Sequence, residues 1–263
     1  MIELGKILTN TKALVLEVGD FIRQESKSFS TSDIEHKGFN DLVSYVDKSA
    51  EKQLVDGCTK ILPQAGFIAE EGTSDKTGET YNWIIDPLDG TTNFTHGLPV
   101  YAISLALMQG EEIILGIVYE INRDECFYAI RGEKAFLNEK EISVSKAGQL
   151  KHSLLATGFP YYDFDQMNTY LQILNDFMQK THGLRRMGSA AVDLAYVACG
   201  RFEGFFEYNL NAWDVAAGAF IVQQAGGTVT DFKGGNDYIF GREIVAACSI
   251  HEEMIEVIQN LWK

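Results

Sequence analysis

The opening stretch "MIELGKILTNTKALVLEVGDFIRQE" sets Leu4, Ile7, Leu8, Thr11, Val15, Val18 and Ile22 on one face of a helix and its charges on the other. This predicts an amphipathic helix packed on a core. After "HKGFNDLV", a second run at helical spacing carries Val43, Val46, Ala50, Leu54, Cys58 and Ile61, with Asp47 beside that face. The rhythm then shortens. "GFIAE", "NWIID", "YAISLALM", "EIILGIVYEI" and "ECFYAI" are strand-like runs separated by turn-rich pieces such as "TSDKTGET" and "INRDE". Consecutive strands on short links predict a largely antiparallel sheet.

From about Ser153 strand and helix patterns alternate: strand "LLATGF", helices "FDQMNTYLQILNDFMQKT" and "SAAVDLAYVACG", strand "FEGFFEY", helix "WDVAAGAFIVQQA", strands "TVTDF" and "IVAACS", and helix "EEMIEVIQNLW". The chain therefore reads as α/β in class. It divides into an N-terminal α+β part, 1–145, and a C-terminal α/β part, 146–263. No Pro/Gly/Ser linker separates them, which predicts one continuous body with a cleft at the seam.

Composition narrows the function classes. With 263 residues and 46% hydrophobic content the chain has material for a sizeable core. Its 37 acidic and 22 basic residues give a net charge of −15, which works against capture of nucleic acid or an anionic membrane. No segment reaches the roughly 20 apolar residues of a membrane span, and the N-terminus lacks the pattern of a secretory signal. A cytoplasmic location is expected. Cys58, Cys126, Cys199 and Cys248 are far apart, without metal-site spacing, and read as buried free thiols.

The candidate chemistry lies where carboxylates interrupt apolar patterns: Asp47, Glu70-Glu71, Asp86 and Asp89 within "WIIDPLDGTTNF", and Asp214 after Trp213. A strand-end turn, a helix cap or a solvated edge explains most of them singly. Asp86-Pro87-Leu88-Asp89 is harder to explain that way. Two unit charges at 4 Å repel by about 4 kcal/mol at an effective dielectric of 20, so such a cluster calls for a divalent ion. Carboxylates plus a backbone carbonyl suit Mg²⁺ or Mn²⁺. "GTTNF" then supplies a turn, hydroxyls and a helix start, where backbone N–H groups bind phosphate. Metal ligands followed by a phosphate cradle point to phosphate-ester hydrolysis.

"DPLDGTTNF" and "WDVAAGAFIVQQAGG", with "DLVSYVD" and "AEEG" upstream, resemble the inositol monophosphatase family of Mg²⁺-dependent, lithium-sensitive phosphatases, in the family's order and across essentially the whole chain. The resemblance implies a layered αβαβα sandwich, a homodimer, and two or three Mg²⁺ ions per active site. It implies that Glu70, Asp86 and the Leu88 carbonyl bind the first metal, and Asp86, Asp89 and Asp214 the second. Asp47 and Thr91, with Glu70, would serve a metal-activated water in its in-line attack on phosphorus. Gly90 and Thr91 would offer N–H groups to the phosphate of a small-molecule monoester, and Ala190 and Glu207 would contact the polyol, beside Asp89 and Asp214.

The expected activity is hydrolysis of myo-inositol monophosphates. The alternatives are a 3′(2′),5′-bisphosphate nucleotidase or fructose-1,6-bisphosphatase of the same superfamily, or a non-catalytic interaction module. No basic cluster is evident near Glu207, which favours the simple monoester. Ser44 stands where the family usually has threonine, and Asn209 and Asn211 fall in a variable stretch on the polyol side. His96 reads as structural, the other histidines form no spaced pair, and Arg185-Arg186 reads as solvated surface.

Overall fold

The computed structural model describes residues 2–29, 34–36, 42–160 and 164–262. Five layers stack helix, sheet, helix, sheet, helix. The first holds α1 (Leu4–Glu25) and α2 (Tyr45–Ile61). In α1, Ile7, Thr11, Val15, Val18 and Ile22 are buried as the pattern predicts, while Leu4 and Leu8 are half-buried at the rim. One assignment moves. Val43 belongs to a short strand, β2 (Leu42–Ser44), paired antiparallel with β1 (Ile34–His36), because Ser44 caps α2 and the helix starts one residue later. Most of "HKGFND", residues 37–41, lies outside the described residues.

The second layer is a seven-stranded sheet ordered β3 (Gly66–Ala69), β4 (Tyr81–Asp89), β5 (Ala102–Gln109), β6 (Glu112–Glu120), β7 (Glu125–Ile130), β8 (Ala135–Leu137) and β9 (Lys140–Ile142). Every neighbour pair is antiparallel except β3 with β4, so the predicted largely antiparallel sheet stands. The fourth layer is a mixed sheet ordered β11 (Gly183–Arg185), β10 (Leu154–Thr157), β12 (Gly204–Tyr208), β14 (Glu243–Ala247) and β13 (Thr228–Thr230). Its outer face carries α4 (Met167–Lys180) and α7 (His251–Leu261).

Between the sheets lie α5 (Ala190–Ala198) and α6 (Ala212–Gln224). All nine residues of α5 are buried, as required of a helix with sheets on both sides. The small residues "AAGA" in α6 allow this fit: a Cβ on Gly218 would stand 2.6 Å from Leu194 Cβ of α5. The middle helices come from the second half of the chain yet pack on the sheet of the first. The seam is therefore a shared core, with the cleft at its edge.

Candidate active site

A cavity of about 390 Å³ opens where the C-terminal end of β4 meets the starts of α5 and α6. The local structure of β4 explains why aspartates gather there. Ile84 packs toward the middle helices and Ile85 toward α1 and α2, as strand alternation requires. Asp86 pairs with Ser104 but Asp89 with Ala102, so one extra residue bulges from β4. Leu88 consequently packs with α1 and α2 although its sequence parity matches Ile84. The bulge turns Asp86 and Asp89 to the same side, and Pro87 occupies it without losing a ladder donor.

Asp214 reaches the pair from the first turn of α6. Ligand oxygens of Asp86, Asp89 and Asp214 all lie within 4.8 Å of one another. Each is held by donors of its own: Leu88 N–H to Asp86 Oδ1 at 2.9 Å, Ser189 Oγ and Ala191 N–H to Asp89 Oδ2 at 2.6 Å each, and Asn211 N–H to Asp214 Oδ2 at 2.6 Å. Burial, then repulsion from Glu70, Asp89 and Asp214, raises the Asp86 pKa well above the usual carboxylate range. Burial pushes Asp89 up to about 6 against its hydrogen bonds, and burial with repulsion from Asp89 pushes Asp214 up to about 7. A packed, all-oxygen set with this affinity for positive charge fits a hard divalent cation and does not resemble a nitrogen or sulfur site.

Glu70 follows β3 and lines the same cavity. Its segment is anchored by Glu51, a fully buried acid of α2, whose two oxygens accept the N–H groups of Glu71 at 2.7 Å and Thr73 at 2.9 Å. Asp47 is also buried, in the first turn of α2. Ser44 Oγ and N–H donate to Asp47 Oδ2 at 2.6 and 2.9 Å, and Thr91 Oγ1 donates to Asp47 Oδ1 at 2.8 Å. Burial raises the Asp47 pKa and these donors oppose the shift. Ser44, which replaces the family's threonine, thus supplies the capping hydroxyl that threonine would.

Gly90 leads from the bulge into the one-turn helix α3 (Thr91–Thr95) at φ 99°, a left-handed conformation natural to glycine. A Cβ there would meet the Val100 carbonyl at 3.0 Å. The first helical bond runs from Phe94 N–H to Gly90 O at 3.0 Å, so the N–H of Thr91 lies ahead of the helical ladder.

Ala190, Glu207, Asn209 and Asn211, which the resemblance placed beside a polyol, line the same cavity. Glu207 is buried, and burial with repulsion from Asp214 and Asp89 raises its pKa to about 8 against the attraction of Arg186. Gly158 makes room for it: a Cβ on that residue would fall 2.0 Å from Glu207 Oε2.

One expectation needs refinement. Arg185 and Arg186 are both exposed, but Arg186 also lines the cavity, with its guanidinium 5.8 Å from the Phe159 ring. The fold therefore brings one cation near Glu207, although no basic run marks it in the sequence. His152 and His182, without metal-site spacing in the sequence, meet at the surface with ring centroids 5.9 Å apart, outside the cavity lining; their elements meet through the His182 N–H to Ser153 carbonyl bond. His96 is exposed at the end of α3, as expected of a structural residue.

Ser189, Asp193 and Glu51 are positions that the sequence pattern did not single out, and Arg186 was read there only as surface. Two signals were available: Gly-Ser before an apolar helix marks an N-cap, and Asp193 is the only charge in "AAVDLAYVA". The four cysteines are free, with Cys199 half-buried and the others buried. Among the described residues no helix is long and apolar enough to cross a membrane.

Comparison with known proteins agrees with this geometry. The inositol monophosphatase family matches residues 3–263. The Escherichia coli (strain K12) protein named Nus factor SuhB is 42% identical over 231 residues, covering 88% of this chain and 86% of its own. The crystal structure of extragenic suppressor protein suhB from Bartonella henselae superposes with a TM-score of 0.90 at 37% identity, over 96% of this chain and 98% of that one. The inositol monophosphatase from Anabaena (Nostoc) gives a TM-score of 0.87 at 31% identity, over 98% and 97%.

Proposed function

The chain belongs to the inositol monophosphatase family, and from that premise we propose that it is a Mg²⁺-dependent phosphomonoesterase acting on myo-inositol monophosphates and related polyol phosphates. One observation carries the reading: the oxygens of Asp86, Asp89 and Asp214 converge within 4.8 Å in a cavity that the buried acid Glu207 also lines. Glu70, Asp86 and the Leu88 carbonyl would hold one Mg²⁺, and Asp86, Asp89 and Asp214 another. When bound, the cations neutralise the phosphate and polarise the attacking and leaving oxygens.

The protein's own groups do the rest. Thr91 directs its hydroxyl proton to Asp47 Oδ1, and the other Asp47 oxygen is fixed by Ser44. Lone pairs on Thr91 Oγ1 then remain to accept a hydrogen bond from a water, which presents its oxygen to phosphorus along the line opposite the leaving alkoxide. Glu70, or Asp47 through Thr91, takes the proton that this water gives up as its oxygen bonds to phosphorus and the P–O bond to the alcohol breaks, and a second water protonates the leaving alkoxide. The amides of Gly90 and Thr91 receive the phosphate oxygens. Glu207 and Ala190 orient the alcohol. We also propose a cytoplasmic homodimer, sensitive to lithium at the site of Asp86, Asp89 and Asp214, and the division of the chain near residue 146.

A bisphosphate substrate would need a cation for its second phosphate. Arg186 is the candidate, but it already interacts with the acids Asp89, Asp193 and Glu207, so the monoester is preferred. A second role, as a Nus factor, is favoured by the 42% identity to the E. coli protein of that name. Such a role is compatible with hydrolysis. The deciding experiment is phosphate release from inositol 1-phosphate, fructose 1,6-bisphosphate and adenosine 3′,5′-bisphosphate, with and without Mg²⁺. Metal-dependent release fastest from inositol 1-phosphate is expected; preference for either bisphosphate, or no release from any, would overturn the assignment.

A further inference from the structure

Among the described residues, three side chains lining this one cavity each bury a polar atom that lacks a hydrogen-bond partner: Asp193 Oδ1, Asn209 Nδ2 and Trp213 Nε1. Buried polar groups are nearly always paired, so such a concentration marks groups kept for a ligand. The chemistry is mixed. A carboxyl oxygen accepts, whereas an amide NH₂ and an indole N–H only donate.

Two of these groups are held in place by their surroundings. Arg242 donates to both the side-chain oxygen and the carbonyl of Asn209, which fixes the amide orientation and leaves the NH₂ as the unused half. Asn209 keeps a left-handed backbone, φ 66°, at this position. Asp193 is 1% exposed and rides on α5, its N–H bonded to the Ser189 carbonyl at 3.0 Å. The same Ser189 donates through its hydroxyl to Asp89. One turn of helix therefore links Asp193 to the carboxylate cluster, and its distance from the reacting phosphate is set by a rigid element.

We propose that Asp193 and Asn209 read neighbouring hydroxyls of a polyol substrate, Asp193 accepting from one and Asn209 donating to another, and that Asp193 is a specificity-determining residue of this site. A hydroxyl both donates and accepts, so adjacent ring hydroxyls satisfy the whole set, whereas an unsubstituted ring or alkyl chain leaves it unpaired. The proposal rests on the phosphomonoesterase reading and names the part of the alcohol that the cavity selects.

The test compares inositol 1-phosphate with cyclohexyl phosphate, the same ring without the other hydroxyls. Asp193→Leu, near in size but without polar atoms, should lower the ratio of kcat/KM for the two esters by about tenfold, the order expected for losing one buried hydrogen bond. Asn209→Ala, on a separate element, should lower the same ratio and serves if Asp193→Leu does not fold. An unchanged ratio in the folded variants, whether both esters slow together or neither does, overturns the inference. If the unaltered protein with Mg²⁺ hydrolyses neither ester, the phosphatase reading fails and melting temperature decides the inference separately. Stabilisation by inositol 1-phosphate over cyclohexyl phosphate that is lost in Asp193→Leu sustains it, and equal or absent stabilisation overturns it.

Discussion

Two sets of residues at the candidate site, those proposed to serve metal chemistry and those proposed to read an alcohol, here called the metal-facing and polyol-facing ends, are built differently. In the first, Asp47, Asp86, Asp89 and Asp214 each accept at least one hydrogen bond of 2.6–2.9 Å from the protein itself. In the second, Asp193 Oδ1 and Asn209 Nδ2 have none. The first set is fixed by the protein, as in-line chemistry would require. The second would leave its hydrogen bonds to a ligand, as selection among alcohols would require, because an unfilled buried partner penalises the wrong one.

The sharpest way to break this contrast is at the shared carboxylate. Asp86→Asn should reduce turnover by at least about 10³-fold, as expected when a centre for charge stabilisation is lost. The melting temperature should hold or rise, because a buried repulsion is removed. Near-normal Mg²⁺-dependent phosphate release would remove Asp86 from the metal-binding role.

Thr91→Val keeps the shape and removes the hydroxyl between Asp47 and the Leu88 carbonyl. A loss of about 10²-fold in kcat with little change in KM is expected if that hydroxyl orients the water. Should KM alone rise, Thr91 serves binding instead. At the other end, Glu207→Gln should act on KM, raising it roughly tenfold for a polyol ester while Mg²⁺ affinity is retained. Weaker Mg²⁺ binding with unchanged substrate affinity would assign Glu207 to the wrong end.

The smallest effect is on stability. Asp89 and Asp214 have folded pKa values of about 6 and about 7 against an ordinary 3.8. Over that interval the folded metal-free protein holds protons that the unfolded chain releases. Their contribution to stability is therefore greatest below the unfolded value and is lost as pH rises through about 6 to 7. Calorimetry of metal-free protein should show a melting temperature on the order of 5 °C lower at pH 8 than at pH 5.5. Added Mg²⁺ should raise it more at the higher pH; a metal-free protein that is more stable at pH 8 would contradict the clustering.

Much of the metal-facing end was legible because its causes are local. Pro87 between two aspartates marks the end of a strand and Gly90 a turn, whereas the bulge and the Ser44–Asp47 cap, four residues long, emerge only in the structure. Val43 was misassigned to a helix because a β-branched residue at helical spacing satisfies either pattern until the cap is located. The polyol-facing end gave weaker signals. Arg186 looks like any surface arginine, and Asp193 was passed over as one polar residue in an apolar run.

The sequence by itself determined most of the elements, the α/β class and the segments that carry the carboxylates, since helix period, strand alternation and turn chemistry act over a few residues, while the layered sandwich was legible only through the family resemblance. Only the tertiary structure decided which of those groups meet. Ser189 and Ala191 hold Asp89 across 100 and 102 positions of chain, and Asn93 Nδ2 donates to the Met187 carbonyl across 94. Arg186 faces Glu207, and Asp193 is left without a partner, for the same reason. These relations arise from burying α5 and α6 between two sheets, where packing fixes positions that no local pattern specifies.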